Sequence, residues 1–297
     1  MFINPYDYCH SNSGKWFRCN FHTHAGTGPG TCGSYGLDEV IFAYWESGYD
    51  ILMISNHDIY TDTKKYSNIY MIQGVEYSTH PHMLTVGIEE ALNSNHQDVI
   101  DKTRQRGGFV ILCHPNWMRK HYLEDDFLNS LTGYRGIEIL NTVIYRLSGS
   151  GFACDTWDRI LTQGKLAYGF GNDDFHVWCD LCRSWNVVFS KSLSYFDIKE
   201  AIDAGCFYVS SGLALAYLQL ENGIISIKAN YIKDSYVDDF GYEFIGENGE
   251  CLSSVKGKAA FYTISGKEKY IRIAVTSEEG FKLFTQPIYQ QGFFKDP

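Results

Sequence analysis

The chain has 297 residues, of which 44% are hydrophobic and 16% aromatic, and this composition is enough for a large folded core. Its formal net charge of -10 provides no basic field for a polyanion, so we expect no duplex nucleic acid among its partners. No apolar run approaches the roughly 18 residues that a membrane helix needs, so no membrane association is expected. The length suits one large α/β domain, alone or with a small appendage.

The N-terminal segment and the cysteines both bear on the cellular compartment. Residues 1–7 have neither a basic start nor an apolar run, unlike a secretory signal. The cysteines number 9, which is odd, and they are scattered along the chain, so we expect reduced thiols rather than a disulfide framework. These features together predict a cytoplasmic protein.

Short apolar strands alternate with helices or loops as far as Val209. Apolar runs predict strands at 50–54, 70–75, 83–86, 109–113, 136–140, 166–170, 185–189 and 206–209. Amphipathic patterns that end near glycine predict helices at 37–48, 96–107, 154–164 and 195–205. Such alternation favours a mainly parallel sheet covered by helices, and we expect a closed (β/α) barrel.

The pattern changes from about Ser211 onward. The segments 218–220, 224–228, 242–245 and 270–275 alternate apolar and polar residues and are joined by turns rather than helices. This alternation is typical of antiparallel strands. We therefore predict two domains: a barrel over residues 1–214 and a small antiparallel β-sheet or sandwich over residues 215–297.

Two histidines one residue apart, His22 and His24, end the first apolar run. Residues i and i+2 of a strand point to the same face, so both imidazoles can face one metal ion. Further histidines and carboxylates lie at or just beyond the ends of later strands, where the active sites of (β/α) barrels are built. The candidate ligands are His22, His24, His57, Glu76, His82, His114, Asp174 and His176.

Imidazole nitrogens and carboxylate oxygens together favour Zn, Mn or Fe over Ca or Mg. The set exceeds what one tetrahedral ion needs, so we expect two or three divalent ions with Glu76 as a bridging carboxylate. Such ions lower the pKa of bound water, which predicts hydrolysis by a metal-bound water without a protein nucleophile. Taken singly, each candidate has a structural interpretation: a histidine in the core, Glu76 in an ion pair, or Asp174 as a helix N-cap.

The order of these motifs resembles the polymerase-and-histidinol-phosphatase (PHP) domain, with His22-x-His24, a strand ending in His57, Gly74-Val75-Glu76, Cys113-His114-Pro115 and Asp174-x-His176. The segments 4–6, 48–50, 204–208 and 285–289 are similar to the CehA/McbA branch of these metallohydrolases. The resemblance implies a distorted seven-stranded (β/α) barrel, a di- or trinuclear metal centre and phosphoesterase activity. It places the candidates at ligand positions of the family, with His82 where the family often has a histidine shortly after the glutamate motif.

Two positions depart from the family pattern. The family usually has Ser-Asp-Gly in the loop after the histidine pair, with the aspartate helping to hold a metal, whereas this chain has Thr31-Cys32-Gly33. As a thiolate, Cys32 could ligate a soft metal such as Zn, or the change weakens one metal position. Asn56 stands where the family typically has an aspartate before His57, and it lacks the charge that would raise the basicity of a histidine.

A phosphorylated substrate needs cationic or N–H donors beside the metal ions. Arg183 is the first candidate for this role, and Arg119 and Lys120 are the next. The aromatic side chains near the motifs could stack on a ring of the substrate or belong to the core. They are Trp117, Trp178 and Tyr145.

We therefore predict a metal-dependent phosphoesterase whose partner is a small phosphorylated molecule. Two alternatives stay open. One is a hydrolase that uses the same metal chemistry on a non-phosphate ester or amide. The other is a catalytically weak, metal-binding regulatory module, which Cys32 and Asn56 suggest. The oligomeric state is open as well.

Overall fold

The structure, a computed structural model, describes residues 1–119, 121–232 and 239–295. The chain divides into two compact units. Unit A covers Phe17–Thr156 and Phe170–Asn186, and unit B covers Met1–Trp16, Trp157–Gly169 and Val187–Asp296. Within the described ranges, no helix is both long enough and apolar enough to cross a membrane.

Strands and helices are numbered in chain order. The strands are β1 (Phe2–Ile3), β2 (Lys15–Asn20), β3 (Ile51–Met53), β4 (Tyr70–Ile72), β5 (Gly74–Tyr77), β6 (Met83–Val86), β7 (Phe109–Leu112), β8 (Gly136–Asn141), β9 (Tyr168–Asn172), β10 (Trp185–Ser190), β11 (Phe207–Ser210), β12 (Leu213–Glu221), β13 (Ile224–Tyr231), β14 (Phe240–Ile245), β15 (Cys251–Gly257), β16 (Ala260–Thr263), β17 (Tyr270–Thr276), β18 (Lys282–Thr285) and β19 (Ile288–Gln290). The helices are α1 (Asp7–Ser11), α2 (Leu37–Glu46), α3 (His96–Gln105), α4 (Asp125–Ser130), α5 (Cys154–Thr162) and α6 (Tyr195–Asp203), and short 3-10 turns cover Val143–Arg146, Trp178–Asp180 and Glu247–Gly249.

Unit A contains two sets of paired strands. In the first, β2, β3 and β4 pair in parallel, with Cys19 opposite Ile51 and Ile51 opposite Tyr70. In the second, the strand order is β5-β6-β7-β8-β9. Here β6 pairs antiparallel with both β5 and β7, whereas β7 and β8 pair in parallel. The prediction of a mainly parallel sheet is therefore wrong for β5, β6 and β7.

The short connection between β5 and β6 explains this difference. Only residues 78–82 separate the two strands, and a parallel pair needs a crossover of about a dozen residues or more. The predicted strand over 70–75 is also divided, because β4 ends at Ile72 and β5 begins at Gly74. As a result, Glu76 lies within an antiparallel strand, opposite Leu84, rather than after a parallel one.

Two isolated parallel bridges join the two strand sets of unit A. Thr23 pairs with Phe175, and His57 pairs with Glu76. Thr23, Phe175 and His57 lie just beyond the C-terminal ends of β2, β9 and β3, so the bridges gather the segments that carry the candidate ligands. The predicted α/β class is confirmed, but across the described residues the ladders do not form one continuous seven-stranded barrel.

Helix α2 shows how the sequence pattern sets the core of unit A. Val40, Ile41 and Tyr44 are buried because they share one face of a helix with 3.6 residues per turn. The helix ends at Glu46, and Gly48 follows with a φ of 80°, a left-handed conformation that glycine adopts without strain. The predicted helix is thus confirmed.

Unit B consists largely of antiparallel pairs. β13 pairs with β12 and β16, β14 pairs with β15 and β17, and β17 pairs with β18 and β19. Asn222 and Gly223 join β12 to β13 with positive φ angles, the conformation that a two-residue hairpin turn requires. The antiparallel strands predicted after Ser211 are confirmed, and the boundary between residues 214 and 215 stays a prediction.

Candidate metal centre

The segment after β2 places His22 and His24 on one side of the chain. Hydrogen bonds from two backbone N–H groups hold the segment extended. The N–H of Thr23 donates to Ser55 Oγ at 3.0 Å, and that of His24 donates to Phe175 O at 2.9 Å. Both histidines are fully buried. Their ring centroids lie 5.2 Å apart, so the two imidazoles lie on the same side of the chain, as their spacing in the sequence predicts.

Four candidate ligand atoms, two from these histidines and two from carboxylates, lie close together. The Nε2 atoms of His22 and His24 each lie 3.1 Å from Glu76 Oε2 and 3.2 Å from Asp174 Oδ1. All four atoms are buried, and none has a hydrogen-bond partner among the described residues. Metal–ligand bonds of about 2.0–2.2 Å hold neighbouring ligand atoms of one ion roughly 3 Å apart, so the observed spacing fits an ion between them.

Glu76 presents its two oxygens to different histidines. Its Oε2 atom also lies 3.1 Å from His57 Nδ1, another buried atom without a hydrogen-bond partner in the described part of the chain. Its Oε1 atom lies 2.8 Å from His82 Nδ1 and 3.4 Å from His114 Nε2. This geometry leaves Glu76 able to bridge two ions.

Cys32 lies beside three histidines of the cluster. Its Sγ atom is 3.1 Å from His24 Nδ1 and 3.6 Å from His176 Nε2, and His57 belongs to the same group. Burial raises the pKa of this thiol, but hydrogen bonds from His176, His24 and His57 outweigh burial and lower the pKa to about 4. Cys32 is therefore a thiolate at neutral pH, the form that ligates a metal.

Close packing of the loop explains how Cys32 reaches the histidines. A Cβ atom at Gly33 would lie 2.6 Å from Ala25 Cα and 2.7 Å from Ala25 N, so only glycine allows this approach. Asn56 holds Ala25 as well: its Nδ2 donates to Ala25 O at 2.8 Å, and its Oδ1 accepts from Ala25 N at 3.1 Å. Asn56 thus fixes the backbone after His24, and among the described residues its side chain bonds no histidine ring.

Two candidate ligands have an unusual backbone conformation. Asp174 has a φ of 52° and His114 a φ of 29°, both in the left-handed region that residues other than glycine seldom adopt. The neighbouring Asp173 holds the turn at Asp174, because its carboxylate accepts the backbone N–H groups of residues 182–184. Backbone strain that the surrounding structure maintains in this way is concentrated at functional sites.

The structure brings every predicted ligand into one cluster. Each belongs to a group whose ligand atoms lie within 4.8 Å of one another. The predicted ligands in these groups are His22, His24, Cys32, His57, Glu76, His82, His114, Asp174 and His176. Imidazole, carboxylate and thiolate atoms in this arrangement fit Zn, Mn or Fe.

Glu138 organises the cluster without being one of the predicted ligands. Its Oε1 accepts from His22 Nδ1 at 2.8 Å and Asn172 Nδ2 at 2.9 Å, and its Oε2 accepts from the His114 N–H at 2.8 Å and Asn141 Nδ2 at 2.7 Å. The bond to Nδ1 fixes the His22 tautomer that leaves Nε2 available to a metal. The sequence signal for Glu138 was a carboxylate between the apolar residues Ile137 and Ile139 of β8.

Replacing Glu138 should weaken metal binding. We expect Glu138→Gln to raise the Kd for the first metal about 10- to 100-fold, because outer partners of ligating histidines typically contribute that much. Competition against a chromophoric chelator measures the Kd. Glu268→Gln, which alters another buried glutamate, is the matched control and should leave the Kd unchanged. Equal effects of the two variants would contradict the positioning role of Glu138.

The charges of the cluster compensate one another. Burial lowers the pKa of His22, but the carboxylates of Asp174, Glu76 and Glu138 outweigh burial and hold the pKa well above its usual range. Burial is likewise outweighed at His24, whose pKa is raised by Asp174, Cys32 and Glu76. Burial raises the pKa values of Glu76 and Asp174, yet His22, the strongest opposing group, and its neighbours keep both well below their usual range.

Metal affinity should therefore depend steeply on pH. Raised pKa values mean that His22 and His24 keep protons above the ordinary imidazole range, and a metal has to displace these protons. We expect the affinity to rise from about pH 6 to about pH 8, roughly tenfold per pH unit for each proton displaced. Calorimetry in buffers of different ionisation enthalpy measures the protons released. An affinity that does not change with pH would contradict this prediction.

Two of the predicted phosphate-binding cations, Arg119 and Arg183, do not line the cavity that His57, Glu76 and His114 border. Arg119 forms an exposed ion pair with Glu124 at 2.6 Å, and Arg183 donates to a backbone carbonyl of its own loop at 3.0 Å. Lys120 lies outside the described residues. Arg146, which was not among the predicted cations, does line this cavity. In the sequence, the only indication that Arg146 lies near the candidate ligands was its position just past the end of β8.

Comparison with known proteins identifies a shared fold. No protein-family profile and no curated protein matches the chain. The chain is similar to a two-domain protein from Bacteroides vulgatus ATCC 8482 that contains a predicted PHP-like metal-dependent phosphoesterase, with 13% identity, a TM-score of 0.56, and coverage of 94% of this chain and 88% of that one. It also aligns with PfuEndoQ, a lesion-specific endonuclease from Pyrococcus furiosus, over 64% of this chain and 56% of that one, with 14% identity and a TM-score of 0.45. The first likeness shows that this chain has the fold of the Bacteroides vulgatus protein.

Proposed function

We propose that this protein is a metal-dependent phosphoesterase that hydrolyses a small phosphorylated molecule. The proposal is carried by the convergence of buried imidazole and carboxylate atoms that lack hydrogen-bond partners within the described residues. The shared fold supports it, because the Bacteroides vulgatus protein contains a predicted PHP-like metal-dependent phosphoesterase. Membership of the PHP family, and of its CehA/McbA branch, is part of the same proposal and rests on the motif order in the sequence.

Three overlapping groups of side chains would hold two or three ions of Zn, Mn or Fe. The groups are His22, His24, Asp174 and Glu76; then Glu76, His82 and His114; and then His24, Cys32, His57 and His176. Bound ions of this kind polarise phosphoryl oxygens and lower the pKa of water, which is the chemistry that they would supply here. Glu138 and Asp173 would keep the ligands oriented through the hydrogen bonds described above.

The proposed reaction adds water to a phosphoryl group. The phosphorus–oxygen bond to the leaving group breaks, and a new bond forms between phosphorus and the oxygen of water. One proton of that water ends on the leaving oxygen, so a monoester gives an alcohol and inorganic phosphate. The reaction needs no protein nucleophile, which agrees with the absence of a Gly-x-Ser-x-Gly motif from the sequence.

A distorted seven-stranded (β/α) barrel belongs to the same proposal. The bridges between Thr23 and Phe175 and between His57 and Glu76 support it, because they link the two strand sets of unit A twice. A barrel would explain why residues far apart in the sequence meet at one mouth.

Release of inorganic phosphate by the metal-loaded full chain tests the proposed function. We expect metal-dependent release from para-nitrophenyl phosphate and loss of this release in His22→Ala, with the exposed His10→Ala as the control. Turnover of esters or amides without any phosphate release would favour the non-phosphate hydrolase. Tight metal binding without turnover across a broad substrate panel would contradict the enzyme and favour a regulatory module.

A further inference from the structure

A cavity of about 240 Å³ lies over the cluster of candidate metal ligands in unit A. Part of its lining comes from cluster side chains, including Glu76, Asp174 and His176. The remaining lining has a different chemistry and consists of Trp117, Val143, Ile144, Arg146 and Leu147. The cavity therefore combines candidate metal ligands, an apolar wall and an arginine.

Arg146 is held in place by a buried carboxylate. Its Nε and Nη2 atoms donate to Asp180 Oδ1 and Oδ2 at 2.8 and 2.9 Å, a side-on bidentate pair. Asp180 is 3% exposed and also accepts the backbone N–H groups of His176 and Val177, both at 3.0 Å. The carboxylate thus fixes Arg146 relative to the loop that carries a candidate metal ligand. An arginine fixed in this way loses little side-chain entropy when it binds an anion.

Part of the Arg146 guanidinium is available to a ligand. A guanidinium has five N–H donors in a planar fork, and the pair with Asp180 uses two of them. Within the described residues, Arg146 makes no hydrogen bond other than those to Asp180. Its side chain is 38% exposed. Donors that point away from Asp180 can therefore meet an anion inside the cavity.

We infer that Arg146 binds the phosphoryl group of a phosphomonoester, and this inference rests on the proposed function. A monoester has three non-bridging oxygens, which carry its two negative charges, so an oxygen remains for the arginine when others face the ions. A diester has two such oxygens and a single charge, and an ester oxygen takes the place of the third. If the cluster held metal ions, an arginine in the same cavity would therefore favour the monoester.

The apolar wall indicates the kind of leaving group. Ile144 is buried, Leu147 is exposed at the rim, and Trp117 packs edge-on against His114 with ring centroids 4.9 Å apart. The cavity has room for about eight water-sized volumes of ~30 Å³, which accommodates a phosphoryl group and one compact substituent. Apolar side chains stabilise a substituent that buries apolar surface. The substrate class is therefore the monophosphate of a small apolar or aromatic alcohol.

The metal-loaded full chain and its variant Arg146→Met test the role of the arginine. Arg106→Met is the matched control, because Arg106 is 41% exposed and also pairs with a carboxylate, that of Glu90. We expect Arg146→Met to weaken binding of inorganic phosphate, measured by calorimetry, about 10- to 100-fold, with a similar rise in KM for para-nitrophenyl phosphate. Hydrolysis of bis(para-nitrophenyl) phosphate should change much less, and Arg106→Met should leave all three values unchanged.

Each outcome separates this inference from the proposed function. If the parent protein hydrolyses the monoester but Arg146→Met binds phosphate as tightly as Arg106→Met, the inference is wrong and the proposed function stands. A parent that prefers the diester would also overturn it. If the parent protein neither binds inorganic phosphate nor releases it from a phosphoester, the proposed function is wrong, and this inference falls with it. Should Arg146→Met lose metal, Arg146→Lys replaces it, and retained metal with weakened phosphate binding is then the expected result.

Two alkyl monophosphates test the apolar wall. Benzyl phosphate and glycerol 3-phosphate differ in apolar surface, and we expect the benzyl ester to have a KM lower by about tenfold or more. Trp117→Ala should remove most of this difference, because it should raise the KM for benzyl phosphate more than the KM for glycerol 3-phosphate. Equal KM values for the two esters in the parent protein would contradict an apolar leaving group.

Discussion

Replacing Glu76 by glutamine should remove at least one metal ion per chain and reduce phosphoester turnover by about 10³-fold or more. Glu76 Oε2 lies 3.1 Å from ligand atoms of His22, His24 and His57, and Oε1 lies 2.8 Å from His82. A glutamine side chain has only one oxygen that can ligate a divalent ion, because its amide nitrogen cannot. Glutamine could therefore bind one ion but could not bridge two. Glu76→Gln should therefore lose more metal and more activity than any variant that changes only the orientation of a ligand.

Elemental analysis and phosphate release on the same preparation measure both effects of Glu76→Gln. Glu90→Gln, an exposed glutamate of unit A, is the control and should keep metal and activity. Circular dichroism checks that the variant is folded, because the change also removes a buried negative charge. Full metal content in folded Glu76→Gln would contradict the bridging role.

Replacing Cys32 by serine should change which metal the protein prefers. The thiolate lies among His24, His57 and His176, and a thiolate favours Zn over Mn whereas a hydroxyl does not. We expect Cys32→Ser to weaken Zn binding at one position roughly 100-fold or more, with a much smaller change for Mn. Chelator competition with each metal separately measures the two constants.

Two further variants test whether Cys32 ligates a metal. Cys179→Ser, which alters an exposed cysteine of unit A, is the control and should leave both constants unchanged. Cys32→Asp replaces the thiolate by a carboxylate, and it should move the preference toward Mn. A Zn affinity of Cys32→Ser equal to that of the parent would show that Cys32 is not a ligand.

The two-residue periodicity of extended chain was enough to predict the histidine pair. His22 and His24 share a face because the segment is extended, and no tertiary information was needed for that conclusion. His82 reaches the same cluster for a reason that the sequence did not reveal. It precedes β6, and since β6 runs antiparallel to β5, the start of β6 lies beside the end of β5, near Glu76.

The roles of Glu138, Arg146 and Asn56 depend on distant contacts, and strand patterns carry little information about them. Glu138 meets His22 across 116 residues of chain, and Arg146 meets Asp180 across 34. Asn56 bonds the backbone of Ala25, a contact that no side-chain pattern encodes. Local residue type identified the candidate ligands, whereas the choice among the arginines and the role of Asn56 required the tertiary structure.

The metal content of the full chain, purified without chelators or a histidine tag, tests the central claim most directly. The cluster of buried ligand atoms predicts about two to three equivalents of Zn, Mn or Fe per chain by elemental analysis. A value near zero that added metal does not restore would contradict the claim, because the buried atoms of His22, His24, Glu76 and Asp174 would then have no ion to bind.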